Sequence, residues 1–302
     1  MSAPVVVLAG GTGGAMLARG MLDVVGEDLV VIANTGDDAE VHGGYVSPDP
    51  DLVTFWLADA IDARGWGLRD DTFAVMEALR ALGEDVWFTL GDRDLAVCLA
   101  RARRLAAGDR LTVCADALRH AYEVRARVLP MSDDPVRTRV RAAGAWHEFQ
   151  AYMIRAGAPA PVEDVEFAGA AGATPTPEVV DALHDARAIV VGPSNPVISI
   201  GPILAIPGVR EALRATSAPV VAVSPLVAGR VLKGPTASFM AWAGHPLDSA
   251  GIAAAYDGLL DGLVADERTD ALPTLETDVA MPDAAARERL ARDTLQFALA
   301  LG

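Results

Sequence analysis

The N-terminal stretch constrains the fold more than any other part of the chain. Val5-Val6-Val7-Leu8 is a β-branched run that passes into Gly10-Gly11-Thr12-Gly13-Gly14. Apolar residues then recur at Met16, Leu17, Met21 and Leu22, the spacing of one helix face. Leu29 to Ala33 is a second unbroken apolar run. Such a strand is buried on both faces, as in a parallel sheet covered by helices. Strand, glycine loop, helix and strand predict an α/β chain with a doubly wound, mostly parallel, Rossmann-like sheet. Ala188-Ile189-Val190-Val191 and Val220-Val221-Ala222-Val223 supply further strands, each running into a Pro/Gly/Ser turn. Ligands of open parallel sheets bind at turns of that kind.

Residues 70–125 predict helices, and two more are expected at about 247–264 and 283–300. Alternation in Val136-Arg137-Thr138-Arg139-Val140 and near Val162-Glu163-Asp164-Val165 predicts a smaller inserted α+β subdomain over 130–180. The nucleotide-binding core is then expected over 1–129 and 181–302.

Composition narrows the partners. A formal net charge of −16 repels polyanions, so nucleic acid is not an expected partner. The apolar stretch from Ala188 to Val209 is broken by Pro193, Pro196, Pro202 and Pro207, which makes it a poor membrane span. With no basic segment before the first apolar run, the chain reads as cytoplasmic. Cys98 and Cys114 lack metal-ligand spacing and read as reduced structural thiols. A hydrophobic fraction of 52% leaves a homodimer plausible.

Glycines after a first strand allow a tight turn and close approach to phosphate oxygens at a helix N-terminus. Gly10, Gly11, Thr12 and Gly13 are therefore candidates for an anion or diphosphate cradle, with a purely structural turn as the plain alternative. Ala15 and Met16 exclude a P-loop, and Met16 stands where a dinucleotide fingerprint needs its third glycine.

The second strand leads into Asn34-Thr35-Gly36-Asp37-Asp38, followed by Ser47-Pro48-Asp49-Pro50-Asp51. Carboxylates grouped on loops at a strand end suit magnesium, which takes oxygen ligands and shares phosphate oxygens. They also suit a base acting on a hydroxyl nucleophile. Asp37, Asp38, Asp49 and Asp51 are the candidate metal ligands; helix capping by Asp51 and a turn at Asp49 are the bland alternative. In Gly91-Asp92-Arg93-Asp94 the aspartates are natural caps, whereas Arg93 puts a permanent cation at a helix start. Asp133 and Asp134 read equally as turn or ligand residues. Ser194, Asn195 and Pro196 form a stiff loop that either reads a nucleotide or caps the next segment. Arg230 and Lys233 are further phosphate candidates.

Taken in order, these segments resemble the 2-phospho-L-lactate transferases and phosphoenolpyruvate transferases of coenzyme F-420 biosynthesis. The resemblance runs through the glycine loop at 10–14, 34–38, 47–51, 91–94, Leu-Pro-Met-Ser-Asp-Asp-Pro at 129–135, Gly-Pro-Ser-Asn-Pro at 192–196 and Asp266-Glu267-Arg268. It implies a magnesium-dependent transfer of a 2-phospholactyl or phosphoenolpyruvyl group. The guanosine-diphospho donor would release GMP, and the ribityl hydroxyl of a deazaflavin would accept the group. By similarity Asp51 and Thr89 touch the deazaflavin. Ser194 and Asn195 join the glycine loop around the guanosine diphosphate, Asn34 and Pro196 are further substrate-binding candidates, and Asp51, Asp49 and Arg93 become the catalytic candidates, with Asp51 as base. A rival resemblance, to non-catalytic sugar-nucleotide-binding regulators of the gluconeogenesis-factor group, covers the glycine loop and Leu-Pro-Met-Ser but is weaker at 47–51 and 91–94.

Overall fold

The computed structural model describes residues 3–231, 234–256 and 258–302. β1 (Val5–Ala9) leads into α1 (Gly11–Val25), and β2 (Leu29–Ala33) pairs parallel to β1 with Val5 opposite Leu29. Every residue of both strands is buried. Alternate side chains supply two cores, Val6, Leu8, Val30 and Ile32 on one face and Val5, Val7 and Val31 on the other. Fully burying each such aliphatic side chain contributes about 1.5–3 kcal/mol, which is why these runs carry no polar residue.

After β2 the chain leaves the sheet. A hairpin of β3 (Ala39–Val41) and β4 (Gly44–Val46) precedes α2 (Pro48–Leu57), α3 (Ala74–Ala81), α4 (Asp92–Ala106) and α5 (Leu111–Ala121). β5 (Arg127–Pro130) returns to pair with β2. Next come β6 (Arg137–Ala142), β7 (Ala145–Glu148) and β8 (Val162–Ala168), an antiparallel sheet in the order β7-β6-β8 inside the predicted insertion. α6 (Pro177–His184) leads back to β9 (Ala188–Val191) and β10 (Val220–Val223), then to a small hairpin of β11 (Leu226–Val227) and β12 (Arg230–Val231). β13 (Gly262–Ala265) and β14 (Thr274–Glu276) finish the sheet, and a final helix, Ala284–Leu301, packs on α1.

The central sheet runs β14-β13-β10-β9-β1-β2-β5, with every neighbouring pair parallel. The chain winds outward from β1 to β5, then returns to β9 on the other side of β1. The switch point therefore lies between the carboxyl ends of β1 and β9, where ligands of doubly wound sheets bind. Both loops singled out from the sequence, 10–14 and 192–196, leave the sheet there.

One expected helix is corrected. The segment 247–264 is helical only over Ser249–Ala255, and its end is β13. Leu263 faces one core and Val264 the other, so the strand has the same unalternating look as a buried helix end. Among the described residues no single helix is long and apolar enough to cross a membrane. Lys233 lies outside the described residues.

Candidate active site

The glycine loop is shaped first by packing. A Cβ on Gly13 would stand 2.1 Å from the carbonyl oxygen of Pro193, and one on Gly10 2.6 Å from that of Ser199. The loops after β1 and β9 interlock only because these side chains are absent. Gly11 adopts a positive φ of 66°. Its N–H, the first of α1, donates to Oδ1 of Asp49 at 2.7 Å. The positive end of α1 thus already holds one anionic group, supplied by the protein. The N–H groups of Thr12 and Gly13 follow in the same turn, where no intrahelical acceptor exists.

Asp49 is the hinge of the site. Its second oxygen accepts from Nδ2 of Asn34 at 2.9 Å, while Oδ1 of Asn34 accepts from the N–H of Gly36 at 2.7 Å. Asn34 thereby joins the end of β2 to the start of α2. Burial pushes Asp49 up to about 6 against the opposing effects of Gly11 and Asn34. Asp38 is pushed up to about 7 by burial, opposed first by the Arg137 charge. Asp37 is raised well above the carboxylate range by burial, then by the charges of Asp49 and Asp38.

Oδ1 of Asp37 and Oδ2 of Asp38 are buried without a hydrogen-bond partner, whereas Oδ1 of Asp38 accepts from the Ser47 hydroxyl at 2.8 Å. Buried carboxylate oxygens left unpaired are costly unless a cation or proton compensates them. The pair of unpartnered oxygens on Asp37 and Asp38 therefore offers a place for a hard divalent cation such as magnesium. Both oxygens of Asp49 are engaged, and the three carboxylates do not converge as one ligand group. Asp51 does not belong to the pair either.

The carboxylate of Asp51 is taken by Arg101, which the sequence analysis did not single out. Nη1 of Arg101 donates to Oδ2 of Asp51 at 3.0 Å and to the Tyr45 carbonyl at 2.9 Å, and Nη2 donates to Oδ1 of Asp51. Both side chains are buried. Arg101 stands among Arg103 and Arg104 on α4, a run that reads as a solvated helix face. Only the burial of Leu95, Cys98 and Arg101 at helical spacing reveals the inward stripe.

Two cavities flank these carboxylates. One, of about 470 Å³, is lined by Phe55, Trp66, Trp87, Phe88, Thr89 and Ile154, with Asp49, Asp51 and Asp94 among its polar groups. The other, of about 360 Å³, is lined by Asp37, Asp38, Arg137, Glu148 and Gln150, and it shares Trp87. The aromatic side chains of the first supply faces of the kind on which a planar ring stacks.

Several expected site residues are placed elsewhere. Arg93 is exposed and donates to the Arg69 carbonyl at 3.1 Å, lining neither cavity, so its catalytic role is not supported by geometry. Asp92 and Asp71 cap each other's helices. Asp92 accepts from the N–H groups of Ala74 and Val75, and Asp71 from those of Arg93 and Asp94. Ser194 donates to the Gly10 carbonyl, and Oδ1 of Asn195 accepts from Val197 and Ile198. These side chains, with the buried Pro196, brace the switch-point loop from within, as the capping reading expects. Asp133 accepts from both donor groups of Thr112, and Asp134 from both of Thr174, so both are turn residues. Arg230 is exposed in the small hairpin, which Asp266 fastens through the N–H of Ala228. Thr89 does line the aromatic cavity, its hydroxyl accepting from Arg80 at 3.3 Å. Cys98 and Cys114 are free and buried.

Comparison with known proteins agrees with this architecture. A phosphoenolpyruvate transferase of Streptomyces griseus subsp. griseus is 40% identical over 309 residues, covering 95% of this chain and 97% of its own. A 2-phospho-L-lactate transferase of Methanosarcina mazei is 37% identical over 265 residues, covering 87% of each. A crystal structure of a UPF0052 family protein from Bacillus halodurans shares the fold, with a TM-score of 0.64 at 16% identity over 98% of this chain and 99% of its own. The family described as 2-phospho-L-lactate transferase CofD matches residues 5–296, and the chain belongs to that family of transferases.

Proposed function

We propose that the protein transfers a 2-phospholactyl or phosphoenolpyruvyl group from a guanosine-diphospho donor to the ribityl hydroxyl of a deazaflavin, releasing GMP. The observation that carries this reading is the double attachment of Asp49. It lines the aromatic cavity while its carboxylate bonds the first N–H of α1 at the switch point. A planar acceptor in that cavity and a diphosphate at the switch point would meet at this residue.

The donor's diphosphate would lie against Thr12 and Gly13, where the helix start favours negative charge. The isoalloxazine-like ring would lie among Trp66, Trp87, Phe88 and Phe55, with its ribityl chain directed to the aspartates. Asp37 and Asp38 would hold magnesium, which when bound would supply neutralisation of phosphate charge. Closing the acceptor against the donor in a partly buried site supplies proximity, and phosphoryl transfer needs little more than positioning and charge stabilisation. No covalent protein nucleophile is required.

The test is mass spectrometry of the protein incubated with deazaflavin, magnesium and each guanosine-diphospho-acid donor separately. Product together with GMP from one donor establishes the reaction and identifies the acid. Folded protein that forms no product from either donor, and leaves deazaflavin fluorescence unchanged, sinks the reading in favour of a nucleotide-binding regulator.

A further inference from the structure

We propose that Asp94, not Asp51, is the catalytic base that takes the proton of the acceptor hydroxyl, with the Asp51–Arg101 pair positioned beneath it. This rests on the transfer reaction proposed above. Three carboxylates face the aromatic cavity. Asp49 has both oxygens engaged, by Gly11 and Asn34, and Asp51 has both engaged by Arg101. Asp94 carries no side-chain hydrogen bond among the described residues; only its backbone N–H is used, to cap α4 on Asp71. Its carboxylate lines the cavity with no protein donor assigned to it.

The surroundings of Asp94 suit the task. One of its oxygens lies within 4.8 Å of an oxygen of Asp51 and of the Cys98 sulfur. The charged and titratable groups around it are Asp51 from α2, Asp71 from the segment before α3, Cys98 and Arg101 on α4, and Tyr122 after α5. Burial, then the charges of Asp51 and Asp71, hold Asp94 up to about 7, with Arg101 opposing. A base with that affinity for a proton accepts one readily near neutral pH and returns it to solvent afterwards. Asp51, Asp94 and Cys98 lie close together without making a metal site. Asp51 is already neutralised by Arg101, and burial raises the Cys98 thiol, which stays protonated and a poor ligand.

The step balances without a further reactant. The hydroxyl oxygen of the acceptor forms a bond to the phosphorus that carries the acid. The bond from that phosphorus to the bridging oxygen of the diphosphate breaks, and its electron pair leaves with GMP. The hydroxyl proton passes to an oxygen of Asp94 and from there to water at the cavity mouth.

The experiment compares wild type with Asp94→Asn and Asp51→Asn, measuring kcat and KM for the deazaflavin from pH 5.5 to 9, and deazaflavin binding by fluorescence. Wild type should lose kcat as pH falls through about 7. Asp94→Asn should bind the deazaflavin within about twofold of wild type, lose about a hundredfold or more in kcat, and lose the acidic limb of the profile. Asp51→Asn should keep that limb. Normal kcat in Asp94→Asn, or an acidic limb that survives in it, overturns the assignment while leaving the transferase reading intact. A wild type that binds deazaflavin but turns over neither donor removes the transfer reading, and this inference with it.

Discussion

Arg101 grips both carboxylate oxygens of Asp51, a residue fifty positions earlier in the chain, and both side chains are buried between α2 and α4. The pair fixes the start of α2 against the excursion helices and so sets the floor of the aromatic cavity. Breaking a buried pair from one side strands the other charge. Arg101→Met is therefore expected to lower stability by about 3–5 kcal/mol, whereas Asp51→Leu combined with Arg101→Met recovers most of that loss. Urea unfolding of the two single variants and the double variant checks it. Additive losses in the double variant would mean that the two side chains act independently.

Removing a carboxylate from the Asp37–Asp38 pair beside Asp49 should weaken magnesium binding and relieve repulsion together. Asp37→Asn is expected to bind magnesium about tenfold or more weakly by calorimetry, yet to be at least as stable as wild type without it. Unaltered magnesium affinity in both Asp37→Asn and Asp38→Asn would place the cation elsewhere.

Gly13→Ala tests whether the glycine loop is required for packing. The new Cβ would stand 2.1 Å from the Pro193 carbonyl oxygen, a backbone atom that cannot rotate away. The expected cost is about 1–3 kcal/mol or more, with weaker donor binding as the β1 and β9 loops separate. Wild-type stability and wild-type donor affinity would both contradict the interlock.

The raised affinity of Asp94 for its proton also predicts a stability effect. Its ordinary value is near 3.8 and its folded value about 7, so between those limits the folded state binds more protons than the unfolded one. Stability contributed by the protonated group is therefore present at about pH 4 and falls as pH rises through about 7. Asp94→Asn should be more stable than wild type at pH 8, by about 4 kcal/mol, and close to it at pH 4. Thermal unfolding at the two pH values measures the difference, and equal gaps at both would contradict it.

Trp87 borders both cavities, so truncating it should affect the acceptor before the chemistry. Trp87→Ala is expected to raise KM for the deazaflavin about tenfold or more while kcat changes less. A fall in kcat at constant KM would instead assign Trp87 to the donor side.

Much of this architecture was legible along the chain because it rests on local rules. Unbroken apolar runs at 5–9, 29–33, 188–191 and 220–223 had only one economical use, as strands buried on both faces. The same absence of alternation concealed β13, whose Gly262–Ala265 continues the apolar character of the preceding helix. The grouping of Asn34, Asp37, Asp38, Asp49 and Asp51 was visible for a similar reason, since all lie within one strand end and the helix start that follows.

The division of labour within that group was decided only by tertiary structure. Whether an aspartate faces an arginine, a helix N-terminus or nothing depends on which elements meet, and those contacts join residues far apart in sequence. Arg93 and Arg101 lie on one helix, yet one faces solvent and the other is sealed beneath the cavity. Ser194 and Asn195 carry the groups expected of a nucleotide-binding loop, but the fold uses them to hold that loop together. The sequence by itself determined the middle strands of the sheet, its switch point and the supply of carboxylates, through periodicity and local backbone preference. Burial and long-range pairing decided which carboxylate is neutralised, which could hold a cation and which is left to accept a proton, because the energy of a charge depends on its three-dimensional surroundings.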